Sequence, residues 1–145
     1  MTEIAFHFNA PDRLSYACRL LRKASATGAR VTVTGAPYLL RELDTTLWTF
    51  SALDFVPHCH AGTAPAAVLA RTPVVLADTV AATPHHEVLV NLGAVVPHGF
   101  ESFERLIEVV TGDAEDRQQA RERWRHYADR GYDIVRHDLA GGEGR

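Results

Sequence analysis

Lysine is nearly missing from this sequence. Fourteen of its fifteen basic residues are arginine, and Lys23 is the exception. Basic charge is not in excess either, because eighteen acidic residues leave a formal net charge of −3. A protein that grips nucleic acid over its whole surface is thereby disfavoured. Only two cysteines are present, Cys18 and Cys59, too few for a disulfide framework. No apolar run approaches the roughly 18 residues that a membrane helix needs. Met1-Thr2-Glu3-Ile4 has neither a basic region nor a long apolar one, so no secretory leader is expected. Glycine is missing where a nucleotide site would want it. The turn after the first strand-like run reads Asn9-Ala10-Pro11-Asp12-Arg13, without the G-x-G-x-x-G that lets backbone approach a pyrophosphate, and no P-loop motif occurs.

What remains is ordinary globular material: 145 residues, 46% hydrophobic, 23% charged and 8% aromatic. That is one domain's worth of chain, with enough apolar surface for one core. Ile4, Phe6 and Phe8 alternate as in a strand. Asp12 then stands where a helix cap belongs, and Leu14, Ala17, Cys18, Leu21 and Ala24 mark one helical face up to Gly28. Arg30–Thr34 reads as a second strand and Tyr38–Trp48 as a second helix. The β-α-β-α opening predicts a parallel sheet packed by helices. Thr49–Thr72 reads as largely non-helical and partly exposed. Val74–Ala77 and Glu87–Leu92 read as buried strands, and Phe103–Val110 as a helix on the spacing of Phe103, Leu106, Ile107 and Val110. Asp113–Arg130 reads as the last helix and Tyr132–Val135 as a closing strand. Residues 1–139 are expected to form a single domain, and the glycine-rich residues 140–145 a flexible tail.

Catalytic chemistry finds little support. Cys18 lies on the apolar face of the first helix and reads as a core thiol. Cys59 has histidine neighbours but no third orienting group. His58-Cys59-His60 resembles metal-ligand material, yet in an extended segment Cys59 points away from both histidines, and a structural zinc site wants four ligands. No metal, no cofactor and no catalytic residue are expected, and His58 and His60 read as solvated or hydrogen-bonded loop residues.

The last helix carries the most informative pattern. Arg117, Arg121 and Arg125 follow i, i+4, i+8, which places three guanidinium groups on a slanting ridge about 12 Å long. Ala120, Trp124 and Tyr127 form the adjacent apolar face. Such a ridge suits an acidic peptide with a hydrophobic anchor. It equally suits a plain solvated face, where surface ion pairs contribute only about 0.3–0.5 kcal/mol each.

The order of motifs resembles one family. Phe6-His7-Phe8-Asn9, the helix Tyr16–Ala24, Leu43-Asp44-Thr45-Thr46-Leu47-Trp48 followed by Phe55-Val56-Pro57-His58, Val88–Leu92, and Ala120-Arg121-Glu122-Arg123-Trp124-Arg125-x-Tyr127 are similar to the chi subunit of the bacterial DNA polymerase III holoenzyme, over about Ile4 to Val135. The resemblance implies a three-layer α/β domain with a mostly parallel sheet flanked by helices, like a nucleotide-binding fold without its phosphate loop. It implies a non-enzymatic replication adaptor in the bacterial cytoplasm, at the replisome. The expected partners are the acidic C-terminal tail of single-stranded DNA-binding protein, held by Arg117, Arg121, Trp124 and Arg125, and the psi subunit of the clamp loader, held by Trp48, Phe55, Pro57 and His58. Arginine stands here where the family uses lysine at Arg117 and Arg125, so charge is kept and forked carboxylate contacts are favoured. Contact with DNA is expected to be mainly indirect, and no membrane partner is expected. The alternative reading is direct single-stranded nucleic-acid binding, or an adaptor for a helicase.

Overall fold

A computed structural model describes residues 1–49, 56–80 and 83–141. β1 (Glu3–Ala10) alternates as the sequence predicts. Near its end Asn9 adopts a left-handed φ of 63°, and the pairing register shifts between His7 and Ala10. Asparagine tolerates that backbone better than other non-glycine residues. α1 (Arg13–Ala26) follows, capped by the Asp12 carboxylate, which accepts from the Ser15 amide at 2.8 Å. Gly28 stops the helix at a φ of 81°, and the Ala29 amide reaches back to the Ala24 carbonyl at 3.1 Å. β2 (Val31–Thr34) and α2 (Pro37–Thr49) come next, with Pro37 in the first turn where its missing N–H costs nothing.

The remaining elements are β3 (His58–His60), α3 (Ala66–Arg71), β4 (Val74–Leu76), β5 (Val88–Asn91), β6 (Arg105–Thr111), α4 (Ala114–Asp129) and β7 (Ile134–Asp138). All six pairings are parallel, and the strand order is β3-β4-β2-β5-β6-β1-β7. The α/β architecture expected from the opening motif is therefore present, as a single seven-stranded parallel sheet between helical layers.

Strand alternation assigns each side chain to a layer. Val31, Val33, Val88, Val90, Ile107 and Val109 face α1 and α2, meeting Ala17, Leu21, Leu40, Leu43 and Leu47. Ile4, Phe6, Leu89, Leu106 and Val110 face the other way, onto Ala120 and Tyr127 of α4 and onto Phe100 and Phe103.

One expectation fails here. Phe103–Val110 is not a helix: Arg105–Thr111 is β6, paired with β5 and β1. A central parallel strand is buried on both faces, so its apolar residues run together and match a helical spacing by accident. The β-branched Ile107, Val109 and Val110 suit a strand better than a helix. Within Thr49–Thr72, expected to be largely non-helical and partly exposed, the described residues include the edge strand β3 and the short helix α3. The closing strand lies two to three residues later than Tyr132–Val135. Of the expected tail, Ala140 and Gly141 belong to a 3₁₀ turn that begins at Leu139, and residues 142–145 lie outside the described residues.

Candidate functional site

The rotation of α4 is set by a buried charge. Glu108 of β6 points at α4 and has no exposed surface. Its Oε1 accepts from Arg123 Nε at 2.9 Å and from Asn91 Nδ2 at 3.0 Å, and its Oε2 accepts from the Tyr127 hydroxyl at 2.5 Å. Arg123 Nη1 also donates to the Ala94 carbonyl at 2.9 Å. Burial pushes the Glu108 carboxyl above its ordinary range, against the pull of Arg123 and its other donors. Burial first, then the neighbouring Glu108 charge, pushes the Tyr127 phenol up. Arg123 is thus an interior residue, only 2% exposed.

With Arg123 and Tyr127 turned inward, Arg117, Arg121 and Arg125 are turned outward, and all three are exposed. A groove of about 420 Å³ lies between α4 and the sheet, lined by Phe6, Phe8, Val110, Arg117, Ala120, Arg121, Trp124 and Arg136. Its floor is aromatic, with the Phe6 and Trp124 rings 5.1 Å apart. Its far wall is Arg136 of β7, whose guanidinium stands 5.4 Å from the Phe8 centroid and 5.8 Å from that of Trp124. Among the described residues, no carboxylate lies within ion-pair distance of the Arg117 or Arg136 side chain, though the charge of Arg136 is felt at Asp138, and Arg121 donates to Gln118 Oε1 at 2.9 Å. Three of the four residues expected at the basic site, Arg117, Arg121 and Trp124, are therefore brought to one groove, and Arg125 lies outside its lining. Phe8 and Arg136 belong to the groove without a signal in the sequence, because only the β1–β7 pairing carries them to α4.

The second set of residues lies on α2 and β3. Trp48 is 60% exposed, and its ring meets His58 edge-on with centroids 5.3 Å apart. The His58 side chain is fully buried; Nε2 lies 3.0 Å from Asp44 Oδ1 and Nδ1 2.7 Å from the Val56 carbonyl oxygen. His58 is thus a strut beneath Trp48, hydrogen-bonded as one of the two expected alternatives has it, but on the edge strand β3 rather than in a loop. Pro57 is exposed, and Phe55 lies outside the described residues. His60 Nδ1 accepts from the Gly62 amide at 3.3 Å. Among the described residues, no group of three or more His, Cys, Asp or Glu is placed to hold a metal ion.

The crevice beyond the carboxyl ends of β1 and β6 is where open parallel sheets commonly take ligands. Here Asp12 and Asp113 cap the two helices that start there, accepting from the Ser15 and Asp116 amides at 2.8 and 3.2 Å. Arg13 crosses to Asp116 at 2.6 Å, and the same carboxylate accepts from the Thr111 amide at 2.7 Å. Carboxylates therefore occupy the helix-end donors that a phosphate would use.

The family model described as "DNA polymerase III chi subunit, HolC" matches residues 1–135. The DNA polymerase III subunit chi of Pseudomonas aeruginosa is 35% identical over 144 residues, covering 96% of this chain and 98% of that one. The chain belongs to the chi-subunit family of DNA polymerase III, an accessory component of the replication holoenzyme.

Proposed function

We propose that this protein is a non-catalytic adaptor that captures the acidic C-terminal tail of single-stranded DNA-binding protein in the groove between α4 and β7. The observation that carries this reading is the set of guanidinium groups, Arg117, Arg121 and Arg136, left without carboxylate partners around an aromatic floor. Such a site is charged for an acidic chain and shaped for one terminal ring. Two charge-assisted hydrogen bonds contribute about 1.5–3 kcal/mol each, and a buried ring about 1.5–3 kcal/mol. Ordering the peptide costs about 2–5 kcal/mol. A single tail therefore binds no tighter than about micromolar, and many tails on coated DNA raise the effective concentration. The exposed Trp48 with Pro57, on a separate surface of α2 and β3, supports a second contact, to the psi subunit of the clamp loader or to a helicase.

The test is fluorescence anisotropy with a labelled acidic peptide ending in phenylalanine. Arg121→Ala is expected to weaken binding about tenfold, equivalent to about 1.4 kcal/mol, with circular dichroism unchanged. Unchanged affinity in a folded variant overturns the site. Tighter binding to a naked oligonucleotide than to the peptide would favour direct nucleic-acid binding instead.

A further inference from the structure

The two edges of the sheet are unlike. β3 is three residues long, and its histidines are held by Asp44, Val56 and Gly62. β7 has five residues, Ile134-Val135-Arg136-His137-Asp138, and Val135 is 54% exposed. It pairs with β1 on one side, and no described strand pairs with it on the other. Edge strands in native proteins are usually blunted by shortness, proline, bulges or charged side chains, lysine above all; β7 carries Arg136 and Asp138 but no proline and no lysine, and its register with β1 is unbroken.

The hydrogen-bond phase of β7 is determined by its inner partner. The Ile4 amide donates to the Asp133 carbonyl at 3.3 Å, and Ile4 stands opposite Ile134. In a parallel ladder the odd residues 133, 135 and 137 then bond to β1, and the amides and carbonyls of Ile134 and Arg136 point away from the sheet. The Arg136 side chain meanwhile lies in the groove, over Phe8 and Trp124. One residue thus presents its backbone to the open edge and its guanidinium to the groove.

Basic groups also flank the opposite face of this edge. The His137 ring packs against that of His7, with centroids 4.7 Å apart, and the charge of Lys23 is felt at His7. Arg19 stands over Tyr16, which is itself bonded to His7. A carboxylate marks each end. Asp133 is exposed, and Asp138 is engaged by Asn9 Nδ2 at 2.9 Å and the Ala140 amide at 3.0 Å.

We propose that the open edge of β7 takes an extended acidic peptide as an eighth strand, with the outward amides and carbonyls of Ile134 and Arg136 pairing its backbone. Side chains of an added strand alternate between faces. Its carboxylates would then fall in turn beside Arg136, Arg117 and Arg121 on one face and beside Lys23 and Arg19 on the other. This rests on the reading of the groove as a peptide site and extends it from side-chain capture to main-chain pairing.

The experiment is amide hydrogen exchange, followed by NMR on the full chain, with and without a saturating acidic peptide ending in phenylalanine. Exchange at Ile134 and Arg136 is expected to slow at least tenfold, while Val135 and His137, already bonded to β1, change little. Two peptides N-methylated on alternate amides supply the second measurement, and one of them is expected to lose tenfold or more in affinity. Peptide binding that depends on Arg121 but leaves exchange at Ile134 and Arg136 unaltered overturns the edge pairing and leaves the groove reading standing, as would equal affinity of both methylated peptides with the parent. Absence of any peptide binding overturns both.

Discussion

Arg123→Leu is the most informative single change for stability. The wild-type guanidinium lies 2.9 Å from a carboxylate with no exposed surface, and Asn91 and Tyr127 supply the other donors. Leucine fills part of the volume and removes the charge, leaving Glu108 buried with two neutral partners. Breaking one side of a buried ion pair costs roughly 3–5 kcal/mol. Against a total stability of about 5–15 kcal/mol, that is a large fraction. At about 2–4 °C per kcal/mol for a chain of this size, Tm is expected to fall by roughly 6–20 °C. The loss should depend on pH. Burial already pushes Glu108 up, and removing Arg123 removes the largest opposing influence. A carboxyl raised in the folded state binds its proton more tightly there than in the unfolded chain. Its contribution is full below the ordinary carboxylate range and is lost as pH rises towards the folded value. The variant's deficit relative to wild type should therefore be smaller at pH 5 than at pH 8. Urea denaturation at both pH values measures it, with Glu108→Leu/Arg123→Leu as the closing corner of a cycle. The double variant is expected to be more stable than Arg123→Leu alone, since no unpaired charge remains. A single variant that loses less than about 1 kcal/mol, or a deficit that grows towards pH 5, would refute the assignment of an ionised pair.

Further outcomes follow from the same geometry. Asp12→Ala removes the α1 cap and is expected to cost about 1 kcal/mol by urea denaturation. Hydrogen bonds from Ser15 hold the Asp12 carboxyl low, so this contribution is present above the ordinary aspartate range and disappears as pH falls through the folded value. Gly99 sits at a φ of 90°, and an added Cβ would lie 2.8 Å from Val80 Cγ2. Gly99→Ala is expected to cost about 1–2 kcal/mol or more in thermal denaturation. Cys18 is buried and its thiol is pushed up to about 11 by that burial. A thiol reagent at pH 8 should therefore label Cys59 first and reach Cys18 only on unfolding. Peptide binding should weaken as salt rises from 50 to 300 mM, and an affinity indifferent to salt would contradict a groove gripped by arginines.

The sequence shows the first half of the molecule more clearly than the second. Asp12, Gly28 and Pro37 punctuate α1 and α2 because caps and stops are local chemistry, legible without tertiary knowledge. β6 is not legible in that way. Its central polar residue, Glu108, has the look of a solvent-facing position, and its true partners are fifteen and nineteen residues away on α4. The same pairing hides Arg123 among arginines of identical composition. The spacing of Arg117 and Arg121 beside Trp124 does mark one wall of the groove, since all three lie on one helix. The opposite wall requires knowing that Phe8 and Arg136 stand on neighbouring strands, a register that no spacing along the chain encodes.

The position of β1 in the sheet has a consequence for synthesis. This strand leaves the ribosome before the other six, yet its two neighbours are β6 and β7, which lie over a hundred residues later. At about 5–20 residues per second, β1 waits on the order of 5–20 s before either partner exists. Phe6 and Phe8 stay exposed for that interval, and closing the sheet across such a separation makes folding slow for a domain of this size. A chain truncated before β6 has nothing against which to lay its first strand, so completion of the last strands, rather than of the first helices, commits the molecule to its fold.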